Sequence, residues 1–137
     1  MFFLIKMIKG IGIDLVEIDR FKKAIKRQGK KFLERVFTPA EINYCLNKRL
    51  PYPHFAARFA AKEAFLKAIG TGWGTKNSPY WTEIEVINKI SNPKSQIPNL
   101  KLSGKAKLIC RKLKVTSFHL SLTHTANYAS AIIIIEE

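Results

Sequence analysis

Cysteines, long apolar runs and repeated segments are few or missing in this sequence. Its two cysteines, Cys45 and Cys110, have no second cysteine or histidine at metal-ligand spacing, which excludes a disulfide framework and a cysteine-based zinc site. The run from Ile132 to Ile135 is too short to cross a membrane. Met1 to Lys9 is interrupted by lysines and has no small-residue cleavage site, so it is not typical of a signal peptide. We therefore predict a cytoplasmic protein with reduced thiols and no membrane insertion.

Acidic side chains are also scarce. The chain has 10 Asp and Glu against 24 Lys and Arg, a formal net charge of +14. A positive field attracts anions, so the candidate ligands are nucleic acid, an acidic membrane, an acidic protein and a phosphorylated cofactor. Charge alone does not choose among them.

No linker or internal repeat divides the 137 residues, which are enough for one domain with a substantial core. The composition, 47% hydrophobic and 25% charged, is ordinary for a globular protein and argues against long disorder. Strand and helix patterns are mixed along the chain. They predict a single α+β domain over residues 1–137 with antiparallel strand pairing.

The stretch from Phe55 to Gly70 is typical of a buried helix. At about 100° per residue, its apolar side chains cover more than one face. One face holds Phe55, Phe59 and Leu66, and a stripe small enough for another backbone to approach closely holds Ala57, Ala61, Ala64 and Ala68. Gly70 and Gly72 are expected to end the helix, and the loop continues through Trp73 and Gly74.

Glu63 is the unusual residue of this helix because it projects beside Phe59 and Leu66. A carboxylate that loses its water there needs a cation or hydrogen-bond donors as a partner. Lys67, one turn further on, offers the ordinary alternative of a solvated i,i+4 ion pair. The apolar surroundings count against that alternative.

A second carboxylate, Asp14, lies near the end of a predicted strand from Ile8 to Val16. Ile11, Ile13 and Leu15 share one face of this strand, and Gly10, Gly12 and Asp14 share the other. The glycines are expected to clear space beside Asp14, where a ligand or metal can come close. The alternative, a turn or helix-capping aspartate, is favoured for the residue taken alone.

A basic helix is predicted after this strand, with Asp19 as its cap and Gly29 at its end. Its outer face and the residues that follow are strongly cationic: Arg20, Lys22, Lys23, Lys26, Arg27, Lys30 and Lys31. Such a surface suits an acidic partner helix or a phosphate backbone. A solvated face is the simpler interpretation of any single lysine, but the density and single sign favour a partner.

The remaining elements are predicted from caps, turns and alternation. The sequence from Thr38 to Glu41 is a capping box that predicts a helix to about Lys48. Pro51 and Pro53 are expected to end this helix. His54, which precedes the central helix, is assigned a surface or capping role. Further on we predict strands at 81–90 and 98–102, a basic helix capped by Ser103 to about Leu113, and strands at 117–123 and 128–135 joined by a hairpin connection at 124–127.

A strand-end aspartate, a buried-helix glutamate and a positive surface together suit a divalent metal that orients the phosphates of an anionic ligand. Three segments carry a further signal, namely residues 10–18, 58–72 and 120–125. In these segments the chain resembles the holo-[acyl-carrier-protein] synthases, the small bacterial type of 4′-phosphopantetheinyl transferase, and the resemblance extends over almost the full length. The longer start, Met1 to Lys6, and the loop from Ser91 to Pro98 lie outside these motifs.

The resemblance implies a fold, an activity and an assembly. The fold is an antiparallel sheet packed with helices around a long buried central helix. The activity is transfer of phosphopantetheine from coenzyme A to a serine of apo acyl carrier protein, which releases 3′,5′-ADP and supports fatty acid biosynthesis. The assembly is a homotrimer with active sites between neighbouring subunits, which would explain why the central helix is apolar on two sides.

The resemblance also implies roles for particular residues. Asp14 and Glu63 would hold Mg²⁺, and Asp14, Glu63 and Lys67 would be the catalytic set. The expected contacts with coenzyme A come from Lys62, Lys67, Gly70, Ser121, Thr123 and His124, and the expected carrier-protein contacts from Arg20, Lys23 and Arg27. The base that removes the serine proton stays open between Glu63, a metal-bound water and another group.

Two other classes of protein compete with this interpretation. A small nucleic-acid-binding protein would explain the charge and the aromatic residues among the lysines, but not Asp14 or Glu63. A non-catalytic interaction module would require Glu63 only for stability. We expect no nucleic-acid partner.

Overall fold

The computed structural model describes residues 5–70, 76, 78–92 and 95–137. The predicted loop at 71–74 lies outside the described residues, as do positions 1–4 of the N-terminal extension and positions 93 and 94 of the loop between the second and third strands. The elements in chain order are β1 (Ile8–Glu17), α1 (Ile18–Gln28), α2 (Lys30–Val36), α3 (Pro39–Leu46), α4 (Pro51–Ala68), a 3₁₀ turn (Trp81–Glu83), β2 (Ile84–Asn92), β3 (Ser95–Leu102), α5 (Gly104–Lys112), β4 (Ser117–His124) and β5 (Tyr128–Glu136). The mixture confirms the predicted α+β class.

The strands form two antiparallel sheets. β1, β5 and β4 make a 3-stranded sheet in the order β1-β5-β4, and β2 pairs with β3 in a separate 2-stranded sheet. In the larger sheet Asp14 is opposite Ala131 on β5. β4 and β5 pair along their length, which confirms the predicted hairpin.

Helix α4 packs on the inner face of the larger sheet. Alternate residues of β5 are buried beneath it, as the period of two along a strand requires: Ala129, Ala131, Ile133 and Ile135. β1 and β5 contact α4 most extensively, and α1, α3, β2 and β4 complete its surroundings. The apolar character of α4 is therefore explained within one chain, without the neighbouring subunits that the resemblance offered as an explanation.

The glycines of β1 allow this close packing. A Cβ atom added at Gly12 would lie 1.8 Å from the Ala64 carbonyl oxygen, and one added at Gly10 would lie 2.0 Å from that of Ala68. The predicted close approach to the small-residue stripe is thus confirmed, with β1 as the approaching backbone. The glycines make room for α4 rather than for a ligand beside Asp14.

Several predicted boundaries were wrong. Pro51 and Pro53 do not close α3 but lie in the first turn of α4, where missing backbone N–H groups cost no helical bond. His54 is consequently a residue of α4. Asp19 lies inside the first turn of α1 and pairs with Lys23 at 3.0 Å, while Glu17 is at the cap position. Helix α2 was not predicted, and the sequence from Trp81 to Glu83 is a 3₁₀ turn ahead of β2.

The capping box at Thr38 is confirmed. Thr38 Oγ1 accepts from the Glu41 backbone N at 3.3 Å, and Glu41 Oε1 accepts from the Thr38 backbone N at 3.0 Å. Cys45 on α3 and Cys110 on α5 are both buried and free, as expected of reduced thiols. Burial raises the pKa of Cys45 to about 12 and that of Cys110 to about 11, so both stay protonated at neutral pH.

The outer face of the larger sheet is apolar and uncovered in the single chain. Ile11, Ile13 and Leu15 are 62%, 61% and 66% exposed. They alternate with the residues of β1 that face α4, so they share one surface. Over the described residues, no helix combines the length and the apolar character needed to cross a membrane.

Candidate active site

A cleft of about 640 Å³ lies where the end of β1 meets α1, α2 and α4. Its lining includes three carboxylates, one cation and a group of apolar and aromatic side chains: Asp14, Glu17, Glu63, Arg20, Leu15, Val16, Phe21, Ala24, Phe32, Phe59 and Tyr128. The predicted carboxylates Asp14 and Glu63, distant in sequence, are thereby brought to one cavity.

Lys67 connects β1 and α4 next to Asp14, although its own side chain is not part of the cleft lining. Its Nζ donates to the Asp14 carboxylate (Oδ1) at 3.2 Å and to the Ile13 carbonyl oxygen at 2.9 Å. The Lys67 side chain is 55% exposed, so an ammonium with three protons keeps access to solvent and to a ligand. Asp14, Glu63 and Lys67 therefore form one cluster, here called the acid–lysine cluster.

Glu63 is half-buried, and its partner is Trp81. The Trp81 Nε1–H donates to Glu63 Oε1 at 2.9 Å. The expected hydrogen-bond donor at this position is therefore confirmed. The alternative of a solvated Glu63–Lys67 ion pair is wrong, because Lys67 donates to β1 instead. Burial raises the pKa of Glu63; the negative charge of Asp14 adds to the rise, and the Trp81 hydrogen bond and Lys67 oppose it.

The acid–lysine cluster fits a cation that is shared with an anionic ligand. Two carboxylates supply hard oxygen ligands, and a divalent cation would offset both the burial that raises the pKa of Glu63 and the smaller repulsion from Asp14. Among the described residues, no group of three or more His, Cys, Asp or Glu side chains could hold a metal by itself. A cation bound by Asp14 and Glu63 would thus keep positions open for water and for phosphate oxygens.

Lys62 does not belong to the cleft. Its side chain is fully buried, and its Nζ donates to Glu41 Oε1 at 2.7 Å and to the carbonyl oxygens of Trp81 and Ile84 at 2.9 Å each. An ammonium has three protons, and all three have acceptors here. The expectation that Lys62 contacts the phosphates of coenzyme A is therefore corrected: in this structure it is a buried core cation.

A second pocket, of about 280 Å³, lies beside the first half of α4. It is lined by Tyr44, His54, Ala57, Arg58, Asn88, Pro98, Leu122, Thr123 and His124. Arg58 is only 4% exposed, and its Nε is buried with no hydrogen-bond partner among the described residues. Its guanidinium stacks over the Tyr44 ring, 3.8 Å from the ring centroid.

The histidines of this second pocket lie close together. The His54 and His124 ring centroids are 5.8 Å apart. Burial lowers the pKa of His54, and the positive charges of Lys48, His124 and Arg58 lower it further. The second pocket thus gathers cationic and proton-binding groups without an anion, which are the groups that a phosphate would bind.

The structure does not bring all predicted site residues together. Thr123 and His124 line the second pocket, and Ser121 lies two residues earlier on the same exposed face of β4. Gly70 is exposed directly after α4, with φ of 78°. On α4 itself, Arg58 and Glu63 lie about 140° apart around the helix axis, so the two pockets open on different sides of the helix.

The predicted docking residues share one exposed face of α1. Arg20, Lys23 and Arg27 lie within about 60° of one another around the helix axis, opposite the buried Phe21 and Ile25. Arg20 also lines the cleft, so this basic face adjoins the acid–lysine cluster.

Sequence reasoning missed Arg58 and Trp81. Arg58 carried the same signal that singled out Glu63, a charge on an otherwise apolar helix. Trp81 had no such signal, because its contact with Glu63 joins residues 18 apart in the chain.

The comparisons with known proteins agree with this geometry. The family model described as the 4′-phosphopantetheinyl transferase superfamily matches residues 10–133. The chain therefore belongs to the 4′-phosphopantetheinyl transferase superfamily.

Individual relatives indicate which type of transferase within this superfamily the chain resembles. The chain is similar to a holo-[acyl-carrier-protein] synthase of Solibacter usitatus, with 45% identity over 95% of this chain and 99% of the relative. It is similar to that of Syntrophus aciditrophicus, with 46% identity over 95% of this chain and 97% of the relative. The resemblance stated from the motifs is confirmed.

Solved structures give the same result. The crystal structure of the Helicobacter pylori holo-[acyl-carrier-protein] synthase in complex with coenzyme A matches with a TM-score of 0.76 and 34% identity, over 91% of this chain and 98% of that one. The Neisseria meningitidis enzyme matches with a TM-score of 0.83 and 28% identity, over 96% of this chain and 100% of that one. The predicted fold is thereby confirmed.

Proposed function

We propose that this chain transfers the 4′-phosphopantetheine group from coenzyme A to a serine hydroxyl of apo acyl carrier protein, giving the holo carrier protein and 3′,5′-ADP. The observation that carries the proposal is the acid–lysine cluster at the cleft, in a chain whose nearly full-length relatives are named for this reaction. The reaction would supply carrier protein for fatty acid biosynthesis and thus serve lipid metabolism. The nucleic-acid alternative leaves the two carboxylates unexplained, and no relative named above supports it.

Asp14 and Glu63 would hold Mg²⁺. The support is the donor chemistry, since both are carboxylates that line one cleft, where burial raises the pKa of Glu63 and the charge of Asp14 adds to the rise. When bound, Mg²⁺ would neutralise charge on the pyrophosphate of coenzyme A. The two side chains would also hold the metal close to Lys67, which bonds Asp14.

Lys67 would stabilise the leaving phosphate. In the transfer, the serine oxygen forms a bond to the phosphorus that carries pantetheine, and the bond from that phosphorus to the oxygen of 3′,5′-ADP breaks. The serine proton would pass to a general base or to water, and negative charge would develop on the leaving phosphate. The exposed ammonium of Lys67, beside Asp14, would interact with that charge.

The second pocket would bind the anionic nucleotide end of coenzyme A. Arg58, whose buried Nε has no hydrogen-bond partner in the described part of the chain, and the His54–His124 pair are groups that a phosphate would satisfy. Thr123 would add a hydroxyl, with Ser121 two residues earlier on β4, whereas Gly70 follows the far end of α4 and lies outside this pocket. Because the acid–lysine cluster opens on another side of α4, we infer that a complete site combines pockets from neighbouring subunits of a homotrimer.

The carrier protein would dock on α1. Arg20, Lys23 and Arg27 form its exposed basic face, which suits an acidic helix and adjoins the cleft through Arg20. We place the reaction in the cytoplasm, in agreement with two free thiols.

The test is an intact-mass measurement of apo acyl carrier protein incubated with this chain, coenzyme A and Mg²⁺, with an EDTA control. We expect a mass gain of one phosphopantetheine that EDTA removes. Asp14→Ala and Glu63→Ala are expected to abolish the gain while far-ultraviolet circular dichroism stays unchanged, and Lys112→Ala on the distant α5 is the matched control. No gain with a carrier protein that another transferase modifies would refute the assigned activity, and retained turnover in both carboxylate variants would refute the metal assignment.

A further inference from the structure

Trp81 connects the protein interior to the acid–lysine cluster. Its indole Nε1–H donates to Glu63 Oε1 at 2.9 Å, and its backbone carbonyl oxygen accepts from Lys62 Nζ at 2.9 Å. Lys62 and Glu63 are consecutive residues of α4, so their side chains leave the helix about 100° apart. One residue of the following 3₁₀ turn thus contacts both of them.

The inner end of this connection is fixed. Lys62 and Glu41 are a fully buried ion pair with 2.7 Å between Nζ and Oε1. Glu41 Oε2 also accepts from the Val86 backbone N at 3.0 Å, and Oε1 accepts from the Thr38 backbone N at 3.0 Å. The pair therefore ties α3, α4, the 3₁₀ turn and the start of β2 together through direct hydrogen bonds.

The Trp81 side chain is also held in place on the side of the cleft. The Trp81 ring packs against Phe59, with 5.8 Å between ring centroids, and Phe59 itself packs against Phe21 at 4.9 Å. Both phenylalanines line the cleft. The indole is therefore held from two sides, by its own backbone and by the aromatic wall of the cleft.

We propose that Trp81 is a positioning residue that sets the orientation of the Glu63 carboxylate, with the buried Lys62–Glu41 pair holding Trp81 in place. A hydrogen bond to Oε1 restricts rotation of the carboxylate, and Oε2 accepts no hydrogen bond from the described residues. Donors that orient a ligating carboxylate typically change metal affinity about 10- to 100-fold when removed. The consequence for the metal rests on the proposed function, but the indole contact does not.

The first test removes the N–H group and keeps an aromatic ring. Trp81→Phe is expected to raise the Mg²⁺ concentration for half-maximal activity about 10- to 100-fold. The same factor is expected in Mg²⁺ titration calorimetry of the protein with coenzyme A, and KM for the carrier protein should stay within about 2-fold. Tyr80→Phe, which removes a polar atom from an exposed ring one residue away, is the matched control and should leave all three quantities unchanged. An unchanged Mg²⁺ affinity in folded Trp81→Phe would overturn the proposal.

A second test needs neither catalysis nor metal. The chain has two tryptophans, so a ¹H–¹⁵N spectrum of uniformly labelled protein contains two indole N–H signals. Glu63→Ala removes the acceptor, so one signal should move upfield and exchange faster with solvent, and Trp81→Phe should delete that same signal. Two unmoved signals in folded Glu63→Ala would overturn the proposal even if Trp81→Phe does not fold. Loss of transfer in the unsubstituted protein would count against the proposed function alone.

Discussion

At Glu63, the requirements of folding and of the proposed chemistry oppose each other. The carboxylate is half-buried among aromatic rings and close to Asp14, and both features raise its pKa. A carboxylic acid whose pKa is raised in the folded state stabilises the fold below its unfolded pKa and loses that contribution as pH rises through the folded value. At neutral pH the charged form therefore costs stability, and a bound cation would offset that cost.

This conflict predicts that Glu63→Gln stabilises the metal-free protein. Without bound cation at pH 7–8, we expect the variant to unfold roughly 1–3 °C higher than the unsubstituted chain, an effect limited by residual solvent at the site. Near pH 4 the difference should vanish because the native carboxyl is then largely protonated. Thermal unfolding in EDTA at both pH values measures this, and a variant less stable at both would contradict the assigned burial cost.

The buried ion pair of Lys62 and Glu41 predicts that substitutions at these two residues have strongly non-additive effects on stability. Lys62→Met leaves the Glu41 carboxylate buried without its cation, so we expect a loss of about 3–5 kcal/mol in the free energy of unfolding. The double variant Glu41→Gln/Lys62→Met should lose at least about 1 kcal/mol less than the sum of the single variants.

The matched control for this cycle is Lys23→Met, which breaks an exposed ion pair with Asp19 and should change stability by less than about 0.5 kcal/mol. Urea unfolding measures all four variants. Additive losses in the core cycle would show that the two buried charges do not depend on each other.

Between elements, the contact of β1 with α4 sets the position of the carboxylates. Asp14 and Gly12 both project from the face of β1 that meets α4, so the distance from β1 to the helix also sets the distance from Asp14 to Lys67. A strand with larger side chains there could not approach the helix backbone this closely.

Gly12→Ala is therefore expected to be severely destabilising. The new Cβ would overlap the Ala64 carbonyl oxygen, which belongs to a helix backbone that cannot yield locally, and we expect a loss of at least about 3 kcal/mol. Gly29→Ala is the comparison: no atom lies within 4 Å of its Cβ position, and only the positive φ of 70° opposes the substitution, at about 1–2 kcal/mol. Equal losses in urea unfolding would show that packing against α4 is not what Gly12 provides.

The exposed face of α1 predicts a selective loss of carrier-protein binding. The double substitution Arg20→Glu/Arg27→Glu should weaken binding of apo acyl carrier protein ~10-fold or more at low salt and weaken coenzyme A binding less. The difference should shrink as ionic strength rises. Lys107→Glu/Lys112→Glu on α5 reverses the same number of charges elsewhere and is the control. Equal losses for both ligands in titration calorimetry would count against docking on α1.

For the whole molecule, the uncovered face of the larger sheet and the separation of the two pockets have a common explanation in the proposed homotrimer. Apolar side chains that are more than half exposed in one chain would be buried against neighbouring copies. The same contact would join the acid–lysine cluster of one subunit to the second pocket of another.

Ile13→Lys is expected to disrupt this assembly. It places a charge in the middle of the exposed apolar face, so sedimentation equilibrium should change from three times the chain mass of 15.6 kDa to the single-chain mass, and transfer should fall with it. Leu108→Lys, at a residue of α5 that is 55% exposed, should leave both unchanged. A monomeric unsubstituted protein with full activity would refute the composite site.

Much of the fold and part of the site could be predicted from local pattern. The capping box at Thr38, the pairing of the last two strands and the small-residue stripe of α4 depend on neighbours in the chain, and they were found. Helix α2 was missed because it directly follows another helix, and the proline pair was misassigned because prolines fit both the end of one helix and the first turn of the next.

The sequence by itself predicted the α+β class from its mixture of strand and helix patterns, and its resemblance to known synthases indicated the family and the expected set of Asp14, Glu63 and Lys67. Only the tertiary structure decided which lysine of α4 pairs with Asp14. Lys62 and Lys67 are both lysines of α4, yet the first is buried on Glu41 and the second is exposed on Asp14. Their difference comes from the elements that pack on each side of the helix. The contact between Trp81 and Glu63 forms only when the chain folds back on itself, so helical periodicity does not predict it.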